Sequence, residues 1–480
     1  MRLSAIVVLI AALASPMGAL AQAVAKPAID PAVTAPATAT SVPAASHNVI
    51  GISEPQLSAD YWIARQPDAE NVVLNRAQIA EQNTRLQQID PSLNDIEALP
   101  ETLTQARVKT WIEKLSQAPT KTLFDERGVV VPKASLDALT ANVALDAIAP
   151  SQPTRYGLVT RRADLRTFPT ALRVFNARGN TDIDRFQESA LFPGTPVAIV
   201  HSSADGQWWF VVSTLYAAWV DKQHIAQGSA AQVFGYGRKT PYLVVTGATA
   251  QTVFTPDEPG VSQVQLEMGV RVPLLADWPG DKPVNGQHPY IAHVIELPRR
   301  AEDGSLTFSP ALLPKTADVA GDYLPLNREN VLRQGFKFLG ERYGWGHSYN
   351  TRDCSGFVSE IYRSFGVQLP RNTGDQAVSP ALNRVAFDKN DSHAERVAVL
   401  RTLQVGDLIY IPGHVMMVIG LEDGLPYVIH DTTGITYRDA AGALKRVALN
   451  GVSVTPLAPL LFNENEPTVD RITSIQRIRP

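Results

Sequence analysis

Arg352-Asp353-Cys354-Ser355-Gly356-Phe357-Val358-Ser359-Glu360-Ile361-Tyr362-Arg363-Ser364-Phe365-Gly366 is the stretch that decides how this chain is read. Phe357, Val358, Ile361, Tyr362 and Phe365 recur at the spacing of one helical face, and Gly366 follows as a C-cap. Cys354 therefore begins the helix. Unpaired backbone N–H groups and the positive end of the helix dipole at that position favour a thiolate, the reactive form of the side chain. The 480 residues hold no second cysteine, so no internal disulfide can form. An unpaired thiol is either an inert part of a core or is kept for chemistry.

A nucleophile needs a base and often a group that orients the base. Asp407–Ile411, His414–Ile419 and Tyr427–His430 read as strands, with turns at Pro412-Gly413 and Asp423-Gly424. His414 opens one strand and His430 closes the next, so antiparallel pairing brings them together. The expected arrangement is Cys354 as nucleophile, His414 as its base, and His430 holding the His414 ring in the useful tautomer. Asp353 is also a natural cap for the helix. With Val331–Leu339 at helical spacing ahead of it, the region 321–480 reads as an α+β domain. His347 falls in a polar loop and is expected to be structural. No His-x-x-x-His or cysteine pair is present, so neither a metal nor another cofactor is implied.

Upstream, residues 151–230 alternate short apolar runs with turns: Leu158-Val159-Thr160, Val197–His201, Asp205-Gly206, Gln207–Val212 and Ala218-Trp219-Val220. Residues 231–320 have the same texture in Tyr242–Val245, Val270–Leu274 and Tyr290–Val294. Two small barrels in tandem are expected. Residues 53–150 show helical periodicity in Asn71–Leu86, Leu103–Leu115 and Ser135–Leu139, punctuated by Pro100, Pro119 and Pro132. Several modules suit a chain longer than the roughly 250–300 residues that one core sustains.

At the start, Arg2, the apolar run Ala5–Ala14 and the small-x-small patterns Ala19-Leu20-Ala21 and Ala21-Gln22-Ala23 predict a signal peptide over 1–23. Residues 24–52, rich in Ala, Pro, Thr and Val, read as a flexible linker. The apolar run is too short to span a bilayer comfortably, and no later segment is apolar enough. The expectation is an exported protein with no stable membrane insertion after signal removal. A formal net charge of −4 gives no electrostatic footprint for nucleic acid.

Tyr343-Gly344-Trp345-Gly346, Asp353–Val358, Leu369-Pro370-Arg371, Gly406-Asp407-Leu408, Gly413-His414-Val415 and Ile429-His430, taken in order, resemble the NlpC-type murein peptidases. These use a stripped-down papain-like fold. Arg161–Thr170 and Tyr216–Val220 look like the first bacterial SH3-like domain of multidomain members. The resemblance covers nearly the whole mature chain. It implies an α+β multidomain protein: a helical N-terminal region, two small SH3-like β-barrels, and a papain-like catalytic domain. It also implies a periplasmic or secreted cysteine endopeptidase that cuts the γ-D-glutamyl–diamino acid bond in peptidoglycan stem peptides or muropeptides bearing a free N-terminal L-alanine. On this resemblance Asp353 and Ser355 bind that amine, Tyr216 walls off the pocket, and Tyr343, Trp345 and Thr373 line it. The barrel turn that carries a glutamate in some relatives reads Pro193-Gly194-Thr195 here, so no barrel carboxylate is expected at the amine. A catalytically inactive wall-binding protein and an acyltransferase using the same thioester are the alternative readings.

Overall fold

The computed structural model describes residues 49–479, so the expected signal peptide and residues 24–48 of the expected linker lie outside the described residues. Ile52, assigned to the linker by composition, is buried in the core of the C-terminal domain.

α1 (Arg76–Ile89) starts five residues later than the periodicity suggests, because Asn75 caps it. The Asn75 side chain accepts from the Gln78 N–H at 3.0 Å, and the Gln78 side chain accepts from the Asn75 N–H at 2.9 Å. The apolar residues just before the cap are used in another way. The Val73 N–H donates to the Leu326 carbonyl at 2.7 Å, and Leu74 is buried in the C-terminal core. α2 (Gln105–Leu115) and α3 (Lys133–Asn142) follow. These N-terminal residues divide their apolar side chains between two other modules. Trp62, Leu74 and Ile79 join the C-terminal core. Leu103, Val108, Ile112 and Ile148 join Phe210 and Trp219 of the first barrel. Trp62 is fully buried against Tyr427, with ring centroids 5.2 Å apart. A Cβ on Gly420 would lie 2.7 Å from the Trp62 ring, so a glycine is needed beneath it.

The first barrel is built from β1 (Arg155–Val159), β2 (Ala163–Arg166), β3 (Gln187–Leu191), β4 (Pro196–Ser202), β5 (Trp208–Val212), β6 (Ala217–Asp221) and β7 (Ile225–Gly228). The strands pair antiparallel in the order β3-β2-β6-β5-β4-β1-β7. Val159, Val197, Ile199, Val211 and Val220 are fully buried between them. The second region is a β-module of short pieces, chiefly β8 (Tyr242–Val245), β9 (Arg271–Pro273), β10 (Ala292–Arg300) and β11 (Leu306–Pro314). It lies in three small sheets around a main apolar core, which also takes in Ala190 and Phe192 from the first barrel, with a smaller cluster of Val284, Ala292, Val294 and Leu312 beside it.

In the C-terminal domain α4 (Arg328–Phe336), α5 (Cys354–Arg363) and α6 (Thr373–Val378) accompany a six-stranded antiparallel sheet. Its strands are β12 (Asn383–Ala386), β13 (Leu408–Ile411), β14 (His414–Glu422), β15 (Leu425–Thr432), β16 (Gly451–Pro456) and β17 (Ser474–Arg477), in the order β12-β17-β13-β14-β15-β16. Asp423 and Gly424 both have positive φ (50° and 73°), which suits a two-residue hairpin between twisted strands. Alternation along the strands divides the sheet into two faces. Val415, Met417, Ile419 and Ile429 pack with Phe357, Val358, Ile361, Tyr362 and Phe365 of α5. Met416, Val418 and Val428 pack on the other side with Leu400, Leu457 and Ile475. Among the described residues, no helix is long and apolar enough to cross a membrane.

Candidate active site

Cys354 is the first residue of α5, and Asp353 caps the helix by accepting from the Gly356 N–H at 2.8 Å. The thiol is buried, with 5% of the residue exposed. Its Sγ lies 3.5 Å from Thr373 Oγ1 and also takes a contact from the Val415 backbone N–H. The expected thiolate is not the resting state. Burial, helped by the nearby Asp353 charge, pushes the thiol up to about 12 and outweighs the Thr373 and Val415 contacts. The helix start favours the anion, but the loss of water there costs more.

His414 and His430 do meet. His414 Nε2 lies 2.8 Å from His430 Nδ1, and His430 Nε2 lies 3.1 Å from Thr455 Oγ1. Two tautomer patterns satisfy the chain, and the one a general base needs has His414 Nε2–H donating to His430 Nδ1 and His430 Nε2–H donating to Thr455. His414 Nδ1 is then left with a free lone pair, as a base requires. Burial pushes His414 down to about 4, and burial together with His414 holds His430 well below its ordinary value. Both rings are thus neutral at rest. They line a cavity of about 630 Å³ with Tyr343 and Trp345. Among the described residues, no hydrogen bond joins the thiol to either imidazole. Val415, next to His414 on β14, is the strand's contact with the sulfur.

The other expected residues gather on the barrel side of the thiol. Arg371 Nη2 donates to Asp353 Oδ2 at 2.8 Å, Nη1 to Ser355 Oγ at 2.9 Å, and Nε to Ser189 Oγ of the barrel at 2.6 Å. Burial works to raise the Asp353 pKa, but Arg371, His347 and the Gly356 N–H outweigh it and bring it down to about 2. The Tyr216 hydroxyl donates to Glu188 Oε2 at 2.5 Å. A barrel carboxylate is therefore present beside the tyrosine. It comes from β3, not from the Pro193-Gly194-Thr195 turn, and the expectation of no acid is corrected. The barrel is keyed to the C-terminal domain around this point. Gln187 Nε2 donates to the Gly346 carbonyl at 2.8 Å, and Trp345 Nε1 donates to the Gln187 carbonyl at 3.0 Å.

Residues 340–451 match the NlpC/P60 family, and residues 173–221 match the SH3 domain of SH3b1 type. Residues 340–451 carry an NlpC/P60 domain. A gamma-D-glutamyl-L-lysine dipeptidyl-peptidase from Bacillus cereus is 29% identical over 199 residues, 41% of this chain and 49% of that protein. The chain thus spans about half the length of this relative. A protein of the same name from Bacillus subtilis is 44% identical over 50 residues, 10% of this chain and 17% of that one. The solved structure of an NlpC/P60 endopeptidase from Photobacterium damselae subsp. piscicida superposes with a TM-score of 0.66 at 18% identity. It covers 83% of this chain and 90% of that one, a likeness of fold.

Within the NlpC/P60 domain, His347 is more than a loop residue. It is buried, its Nδ1 lies 2.9 Å from Arg371 Nη2, and its Nε2 lies 3.2 Å from Glu360 Oε1. Arginine can only donate, so Nδ1 is the acceptor and Nε2 carries the proton. Burial and the Arg371 charge push this ring down to about 4. A Cβ at Gly356 would lie 2.6 Å from the His347 ring, which explains the glycine two residues after Cys354. Fully buried Arg352 donates from Nε to Glu360 and from Nη1 to Glu341, both at 2.7 Å, and from Nη2 to the Ala248 carbonyl of the second β-module at 2.7 Å. Asp431 is fully buried beside His430, and neither carboxyl oxygen has a partner. Burial and the charges of Asp353 and Glu341 push it up to about 9, so it is a neutral acid at pH 7.

Proposed function

We propose that this protein is a cysteine endopeptidase that hydrolyses the γ-D-glutamyl–diamino acid bond of peptidoglycan stem peptides outside the cytoplasm. The observation that carries the reading is the His414–His430–Thr455 chain, which engages His414 through Nε2 and leaves Nδ1 without a protein partner on the strand that touches the Cys354 sulfur. Cys354 Sγ attacks the γ-carbonyl carbon while His414 takes the thiol proton. Backbone N–H groups at the start of α5 stabilise the oxyanion. His414 then passes the proton to the leaving amine, and a thioester remains. Water attacks the thioester, His414 takes its proton, and the carboxylic acid leaves as the thiol is restored. Thr373 is held against the sulfur, and Tyr343 and Trp345 wall the cavity.

Asp353, Ser355, Glu188 and Tyr216 support recognition of a free N-terminal amine on the barrel side. The test is digestion of defined L-Ala-γ-D-Glu-diamino acid peptides with free and acetylated N-termini, followed by mass spectrometry. The free peptide is cut much faster than the acetylated one. If the Cys354→Ala protein still cuts, the mechanism is wrong. A second reading, a wall-binding protein without activity, is favoured by the burial of the thiol. Muropeptide binding without any cleavage by the wild-type protein would establish it.

A further inference from the structure

The cavity beside the two imidazoles is closed by a small flap of three strands, Ile435–Arg438, Leu444–Val447 and Leu460–Leu461, with the first strand in the middle. Ile435 and Leu460 root it in the apolar core on that face of the main sheet. Asp439 Oδ1 accepts from the Ala441 and Ala443 N–H groups at 3.0 and 2.9 Å and holds the tip turn. The flap is a built wall.

The charges on that wall are lopsided. The cavity's polar side chains are threonines, Tyr343, Trp345, the two imidazoles and Arg446, and no aspartate or glutamate is among the lining residues. Burial keeps both imidazoles neutral, so Arg446 is the charged group facing the space. Arg446 Nη2 donates to Glu464 Oε1 at the surface. Among the described residues, its Nε and Nη1 make no hydrogen bond to protein, and the side chain is 66% exposed. An edge of the guanidinium is therefore open to a planar anion.

The cavity's place in the reaction follows from the chemistry proposed above, on which this inference rests. The leaving amine takes its proton from His414, so the diamino acid occupies the imidazole side of the thiol. The groups for the N-terminal amine stand on the opposite, barrel side. A lysine side chain in the cavity would bring an ammonium to a wall without a carboxylate and toward a guanidinium. A diamino acid with a second carboxylate would meet the open edge of Arg446. The geometry points to Arg446 as a specificity-determining residue that selects a diamino-dicarboxylic acid over lysine on the leaving-group side of the scissile bond.

The experiment compares kcat/KM for L-Ala-γ-D-Glu-X, where X is meso-2,6-diaminopimelate, the same residue amidated at its distal carboxylate, or L-lysine. Wild-type protein favours the free diacid over both others by about tenfold or more, the size of one charge-assisted hydrogen bond. Arg446→Gln collapses the ratio, and Arg446→Lys keeps part of it. Equal rates on the three peptides, or an unchanged ratio in Arg446→Gln, overturn the assignment. Calorimetric titration of the Cys354→Ala protein with the same peptides reads selection without chemistry. Diacid-selective binding with no cleavage by the wild type would sink the peptidase reading and leave Arg446 standing. Binding that ignores the second carboxylate would sink Arg446.

Discussion

The resting state of Cys354 offers the sharpest test of the site's electrostatics. The thiol lies at about 12 and the His414 imidazole at about 4. Before their mutual attraction, that gap makes a thiolate–imidazolium pair about 11 kcal/mol less stable than the neutral pair. A turnover near 10 per second corresponds to a barrier of about 16 kcal/mol, so proton transfer during attack still fits beneath it. The chain has one cysteine, which makes the measurement clean. The ultraviolet thiolate band is followed against pH in wild-type protein, and the spectrum of Cys354→Ser is subtracted to remove the tyrosines. The difference is expected to be flat from about pH 5 to pH 9 and to rise only above about pH 10. Asp353→Asn removes the second cause of the raised value and moves the onset to lower pH. A full thiolate signal already present at about pH 6 would refute the reasoning, since it would mean an ion pair preformed despite the burial.

Arg371→Met leaves the buried Asp353 carboxylate without its cation and is expected to cost about 3–5 kcal/mol in urea denaturation. The Asp353→Asn/Arg371→Met double variant should recover part of this, whereas additive single effects would deny the coupling. His347 has a folded-state value of about 4 against an ordinary 6.5. Its contribution is therefore complete above about pH 6.5 and is lost as pH falls toward 4, about 3 kcal/mol in all. Urea midpoints measured from neutral pH downward should fall more steeply in wild type than in His347→Gln. Trp62→Ala, which empties a fully buried site, should destabilise the C-terminal domain by about 3–5 kcal/mol, read as a lower urea midpoint. Glu188→Gln should lower kcat/KM for peptides with a free N-terminus and leave the slow rate on acetylated ones little changed. An equal fall on both would remove Glu188 from amine recognition.

Much of the C-terminal domain was legible in the chain. The spacing of Phe357, Val358, Ile361, Tyr362 and Phe365 can only bury one helical face, so Cys354 had to stand at the helix start. Pro412-Gly413 and Asp423-Gly424 mark where strands turn, and this brings His414 toward His430. What the pattern left open is what each apolar side chain packs against. Val72-Val73-Leu74 is apolar enough to be buried in either a helix or an extended segment, and the Asn75 cap with the Leu326 pairing decided for the latter. Glu188 belongs to no turn or motif; only the docking of β3 against residues 345 and 346 brings it to the site. The roles of His347 depend on Glu360 and Arg371, which lie 13 and 24 residues away in sequence. The thiol's raised pKa is likewise a matter of burial, which local sequence does not report.

Trp62 and Tyr427 stand 365 positions apart in the chain yet pack ring against ring in one interior. The earliest part of the folded protein to be synthesised must therefore wait, without its proper partner, until nearly the last strand exists. Contacts of this span close slowly, because a long loop has to be ordered before they form. A fragment beginning at residue 321 would present to water the hollow that the indole fills. The C-terminal domain should then behave as an aggregation-prone product when made alone, and activity should be a property of the finished chain.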